Sequence, residues 1–109
     1  MLKTKMTVRF YDQAGDPNSV SLRYRMDPAR ELRPAFKLGE QLFSGSIVTD
    51  EEALYSGMDY PVQVWFRTIY SAEVYSMVEK DLHTGTKYNI QIASRKIGEA
   101  VLQDYCFEP

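Results

Sequence analysis

Five basic residues, Arg23, Arg25, Arg30, Arg33 and Lys37, fall within fifteen positions of this 109-residue chain, with Tyr24 and Phe36 among them. Cations that neutralise phosphates, interleaved with rings that stack on bases, are the chemistry of a nucleic-acid track. Strand alternation would put Arg23 and Arg25 on one solvent face, a geometry suited to a phosphate backbone. Asp27 and Glu31 lie in the same stretch and offer the arginines partners. The alternative is therefore a solvated, partly paired face.

Other reactive residue types are scarce. His83 is the single histidine, beside a Thr-Gly turn, and no His/Cys/Asp spacing supplies the partners of a metal site or general base. Cys106, in DYCFEP, has no histidine nearby in sequence to activate a thiolate. Asp50, Glu51 and Glu52 lack the alternating ligands and central glycine of a calcium loop, so solvent-facing charge is expected there. No catalytic, cofactor or metal residue is assigned, and a non-enzymatic protein is expected.

The whole chain suits one domain, 1–109. Its composition is that of an ordinary globular protein: 44% hydrophobic, 26% charged, mean hydropathy −0.39. A net charge of −2 gives no global attraction to nucleic acid, so any RNA contact needs a local basic patch. The start, MLKTKMTVRF, lacks the apolar core of a secretory signal, and no apolar run reaches membrane-spanning length. A lone cysteine fits a reducing, cytoplasmic setting. Eight Tyr and five Phe favour strands over helices.

Alternation predicts a strand at 4–11 (Met6, Val8, Phe10 against Lys5, Thr7, Arg9) and another over Val20, Leu22, Tyr24 and Met26. QAGDPN at 13–18 is a turn, and DPARELRP at 27–34 a loop. Phe36 and Leu38 begin a third extended run ending near Gly39. LFSGSIV at 42–48 is a strand with a bend glycine inside it. Residues 49–59 are loop-like, with one helical turn conceivable over 51–55. VQVWFRTIY at 62–70 has the strongest strand composition. In it Val62, Val64, Phe66, Thr68 and Tyr70 share one face, and Trp65 and Ile69 the other. At 71–82, Val74, Val78 and Leu82 recur at helical spacing after a candidate N-cap, Ser71. Strands at 88–94 and 97–105 follow, joined by a tight hairpin around Arg95–Lys96. The isolated Gly98 then needs a reason: a bend, a bulge or a close backbone neighbour. Six or seven short strands at regular spacing predict an all-β barrel or sandwich.

Two stretches carry a family resemblance. RPAFKLGEQLFSGSI at 33–47 is similar, without a gap, to the RPQFYFRTTDVTGTI segment of the C-terminal (third) β-barrel domain of bacterial elongation factor Tu. Arg33, Pro34, Phe36, Gly45 and Ile47 are identical. RKIGEAVL at 95–102 resembles that domain's RTVGAGVV, and YSGMDYPVQV at 55–64 echoes MPGDNVKMVV. The resemblance implies a closed antiparallel six-stranded Greek-key barrel, with Gly98 where the closing strand bends.

It does not imply a GTPase, because no GxxxxGK[ST] loop is present to hold phosphate. In the family this barrel packs on the GTPase domain, touches the T-stem of aminoacyl-tRNA and contacts the nucleotide-exchange factor. Ala35 stands where the family has an RNA-facing glutamine, and Ser44 keeps the hydroxyl of a threonine. The last hairpin runs from Ala93–Ser94 straight into Arg95, without the family's charged REGG. The segment 67–87 is longer than its counterpart. It implies either a cap over one barrel end or a new interaction element.

Two expectations follow. The first is a stand-alone interaction module with a protein partner, translation-related through the resemblance, binding through Trp65, Ile69, Tyr70 and Tyr75. If residues 71–82 leave Trp65 uncovered, an outward Trp–Ile pair marks an interface, with homo-oligomerisation its simplest use. The second is an RNA- or tRNA-binding accessory using Arg23, Arg25, Arg33, Lys37, Ser44, Arg95 and Lys96. No membrane, cofactor or GTP enters either reading.

Overall fold

The computed structural model describes residues 1–11, 24–25, 34–51 and 53–109. The expected turn at 13–18, most of the strand at 20–26 and all but Pro34 of the loop at 27–34 lie outside them, as do Arg23, Arg30 and Arg33. The described chain is all-β with one helix. In order it forms β1 (Leu2–Phe10), β2 (Tyr24–Arg25), β3 (Ala35–Leu38), β4 (Gln41–Ser44), β5 (Ser46–Val48), β6 (Ala53–Leu54), β7 (Asp59–Phe66), α1 (Ala72–Glu79), β8 (Lys87–Ile92) and β9 (Arg95–Phe107). Seven strands make one antiparallel sheet in the order β4-β3-β8-β9-β1-β7-β5, and β2 pairs with β6 apart from it.

β1 shows why the sheet has an inside. Leu2, Thr4, Met6, Val8 and Phe10 are buried, and the residues between them are not. The strand thus turns one side to the core, as its period of two requires. Thr4 is the polar member of this row, and its hydroxyl donates to the Val64 carbonyl at 2.9 Å, which meets the cost of burying it. Val62, Val64 and Phe66 of β7, Tyr88 and Ile90 of β8, and Ala100 and Leu102 of β9 complete the same interior. A fully buried phenylalanine such as Phe10 contributes on the order of 1.5–3 kcal/mol.

The sheet curls strongly. Three strands separate β3 from β7. A flat sheet would hold those two about 19 Å apart, at about 4.8 Å per strand. Yet the rings of Phe36 on β3 and Phe66 on β7 meet edge to face with centroids 5.5 Å apart. The two edges are tied by the chain itself, since β4 pairs with β3, β5 pairs with β7, and only Gly45 stands between them. A Cβ on Gly45 would lie 2.7 Å from both Phe36 Cε2 and Val64 Cγ1, so a side chain has no room at this corner.

This arrangement corrects the expected closed six-stranded barrel. The run 42–48 breaks at Gly45 into two short strands with different neighbours, so no ladder joins β4 to β5. Three further differences are local. The strong strand spans 59–66 and stops at a turn over 67–68, rather than running to 70. Residues 53–54 are extended against β2, so 51–55 makes no helical turn. The last hairpin turns at Ala93–Ser94, where Ala93 takes φ 54°, and Arg95 and Lys96 already belong to β9. There Ile92 faces Arg95, leaving a two-residue loop that needs positive φ.

The expected helix is present. The hydroxyl of Ser71 accepts the Val74 N–H at 3.2 Å and caps α1. Val78 and Leu82 are buried in the core, and Tyr75 stacks on Phe107 with ring centroids 4.3 Å apart. No helix among the described residues is long and apolar enough to cross a membrane.

Candidate functional site

Cross-strand register decides which basic residues share a surface. Ala35 lies opposite Ser44 on one side and Gln91 on the other, and Gln91 lies opposite Lys96. Ser44, Ala35, Gln91 and Lys96 therefore form one row across β4, β3, β8 and β9 on the outer face, and Lys37 joins that face two positions along β3. Ser44, Lys37 and Lys96 are exposed, and the Lys96 ammonium sits 5.4 Å from the centroid of the Tyr11 ring. Arg95 is exposed at the first position of β9. Arg25 belongs to the small β2–β6 pair, which is not hydrogen-bonded to this sheet.

The aromatic candidates separate. Trp65 is half-buried on the outer face of β7, opposite Lys3 of β1. The Lys3 ammonium lies 4.7 Å from the indole centroid and the Arg67 guanidinium 5.7 Å, both within cation–π range. The indole N–H donates to the Gln63 side chain at 3.0 Å. Ile69 is 0% exposed, so the expected outward Trp–Ile pair does not exist. The turn at 67–68 interrupts the alternation, which sends Ile69 inward and leaves Tyr70 67% exposed. Tyr75 is half-buried against Phe107. Burial, aided by the Glu79 charge and by Tyr105 and Cys106, raises its phenol pKa.

The structure also gathers residues that the sequence reading left apart. An open cleft of about 430 Å³ lies between the Gly39 turn, the end of α1 and the start of β8. Lys37, Lys80, Lys87 and His83 line it with Asp81 and Tyr88. Tyr88 is buried, its hydroxyl donating to the Asp81 carbonyl and accepting the His83 N–H. Burial is the main cause of a raised Tyr88 pKa. The period-two pattern of β3 and β8 was the available signal, since it puts Lys37 and Lys87 on the outer face.

A second open cleft, of about 510 Å³, lies between β1, β7 and the acidic turn, with Lys5, Gln63 and Glu51 on its walls. Asp50 and Glu51 are exposed, as is Cys106. No group of three or more His, Cys, Asp or Glu side chains among the described residues is placed to hold a metal ion. What the outer face offers is cations, hydrogen-bond donors and aromatic surface, which are means of binding. No family model matches the chain and no curated protein matches it, so the likeness to the C-terminal barrel of elongation factor Tu rests on the segments 33–47, 55–64 and 95–102.

Proposed function

We propose that this chain is a non-enzymatic interaction module, similar to the C-terminal barrel of elongation factor Tu, that takes a protein partner on the outer face beside Trp65 and Tyr70. On this reading β4 and β5 together stand in the place of one strand of the family's barrel, and the partner belongs to the cytoplasmic translation machinery. One observation carries the proposal: a half-buried tryptophan flanked by Lys3 and Arg67, with an exposed tyrosine five residues on. Trp, Tyr and Arg are the residues that dominate interface energetics when a partner excludes water from them.

A second reading, RNA binding, has its own support in the shared face of Lys37, Ser44 and Lys96. Salt separates the two. Contacts to phosphates weaken steeply as salt rises, whereas burial of Trp65 responds little. The test is recovery of bound protein and RNA from lysate at low and high salt, with wild type and Trp65→Ala/Tyr70→Ala side by side. A discrete protein that survives high salt with wild type and is lost with the double variant supports the module. RNA bound at low salt and released at high salt favours the second reading. A partner held equally by both chains overturns the assignment to Trp65 and Tyr70.

A further inference from the structure

We propose that the cleft between the Gly39 turn, the end of α1 and the start of β8 binds a compact phosphate-bearing anion of the size of diphosphate. The argument begins with charge. The chain has more acids than bases, yet three lysines and its single histidine line one cleft that holds a single carboxylate, Asp81. Among the described residues, Lys37 and Lys80 form no ion pair, while Lys87 pairs with Glu99 at 3.5 Å. Lys80 alone has an ordinary explanation, as a cation at the C-terminus of α1. Lys37 on β3 and Lys87 on β8 have no helix end to complement.

Geometry adds to this. The Asp81 carboxylate packs against Gly39, where a Cβ would lie 2.3 Å from its Oδ2. Gly39 has φ +65°, a conformation that calls for glycine. The acid thus lies at the turn wall. Tyr88 holds the segment 81–83 in place through the Asp81 carbonyl and the His83 N–H. Thr86 and Asn89 add neutral hydrogen-bonding groups to the lining. Flexible ammonium groups above neutral donors suit a compact, multiply charged oxyanion. A volume of about 430 Å³ accommodates diphosphate with its water.

The test is an amide NMR titration of the labelled chain with sodium pyrophosphate, with ionic strength held constant by chloride. Saturable shifts confined to 37–39, 80–83 and 86–89 are expected, about tenfold tighter than with monophosphate, and about tenfold weaker in Lys37→Ala/Lys80→Ala. Both lysines are exposed, so the variant keeps its fold, and the same spectra check this. Lys5→Ala, outside the cleft, should match wild type. A short single-stranded oligonucleotide added at saturation separates the two sources of phosphate. Displacement assigns the cleft to a nucleic-acid backbone, no displacement assigns it to a free phosphate compound, and either supports a phosphate site. Shifts that never saturate, that spread to Lys5 and Lys96, or that persist in the double variant overturn it.

Discussion

The backbone at Gly98 lies directly against the carbonyl oxygen of Arg9: a Cβ there would sit 2.5 Å from that oxygen and 3.2 Å from the Cα of Phe10. Phe10 is the residue paired with Gly98 across the ladder. Both obstructing atoms are backbone, so neither can rotate away. Gly98→Ala must push β1 and β9 apart, at a cost of about 3 kcal/mol. A urea melt will show this as a lower midpoint with an unchanged slope. Gly57 has φ +77° but open space around it, so Gly57→Ala should cost only about 1 kcal/mol. Equal losses at the two sites would refute the close approach.

The cap of α1 makes a smaller, local prediction. Ser71→Ala leaves the Val74 N–H without its acceptor and should lower stability by about 1 kcal/mol. For a domain of this size that is a fall in Tm of about 4 °C. Ser71→Asp keeps an acceptor and should restore most of it. A thermal scan in which Asp behaves like Ala would show that the hydroxyl is not acting as a cap.

Ile69 and Tyr70 are neighbours in the chain with opposite fates. Ile69→Ala empties part of the core and should cost about 2–4 kcal/mol. Tyr70→Ala should stay within about 0.5 kcal/mol of wild type. Paired denaturant melts check this, and they also make Tyr70→Ala a clean probe of partner binding.

Tyr88 gives the fold an alkaline limit. Burial disfavours its phenolate and raises its pKa above the ordinary 10.0, with the hydrogen bonds of His83 and Thr86 acting downward and the Asp81 charge upward. The folded chain therefore holds this proton more tightly than the unfolded chain. Its contribution is complete below pH about 10 and is lost as pH climbs through the folded-state pKa. Tyr88→Phe should be about 1 kcal/mol less stable at neutral pH, because the Asp81 carbonyl loses a donor. Above pH 10 it should lose stability less steeply than wild type. Tyr75, whose pKa is also raised, keeps its own share in both chains. Parallel slopes above pH 10 would remove Tyr88 from this account.

Much of the architecture was legible in the sequence because it depends on local rules. The alternation of β1, the capped helix after Ser71, and glycines interrupting strands at 45 and 98 each have a short-range signature. The partner change at Gly45 does not, since a bend signal says nothing about which neighbours the two halves take. The end of β7 was missed because Thr68, Ile69 and Tyr70 prolong its strand composition past the turn. The Ala93 turn was displaced because positive φ is ordinarily announced by Gly or Asn. The cleft was hidden for a different reason: Lys37, Lys80 and Lys87 are distant in sequence and meet only through tertiary packing. The aromatic site was half legible. Trp65 was identified, but its cover of Lys3 and Arg67 comes from register and a turn.

The order of strands has a consequence for how the protein is made. β1 sits in the sheet between β7 and β9, and β9 follows it in the chain only after every other described element. Leu2 faces Phe107, so this ladder closes a loop of nearly the whole chain. Contact order is correspondingly high, which places folding on the millisecond-to-second scale of all-β topologies. Until β9 has been made, β1 lacks one of its two hydrogen-bonded neighbours. The nascent chain thus carries an unpaired strand edge until β9 emerges, the interval in which chaperones or sister chains compete for it.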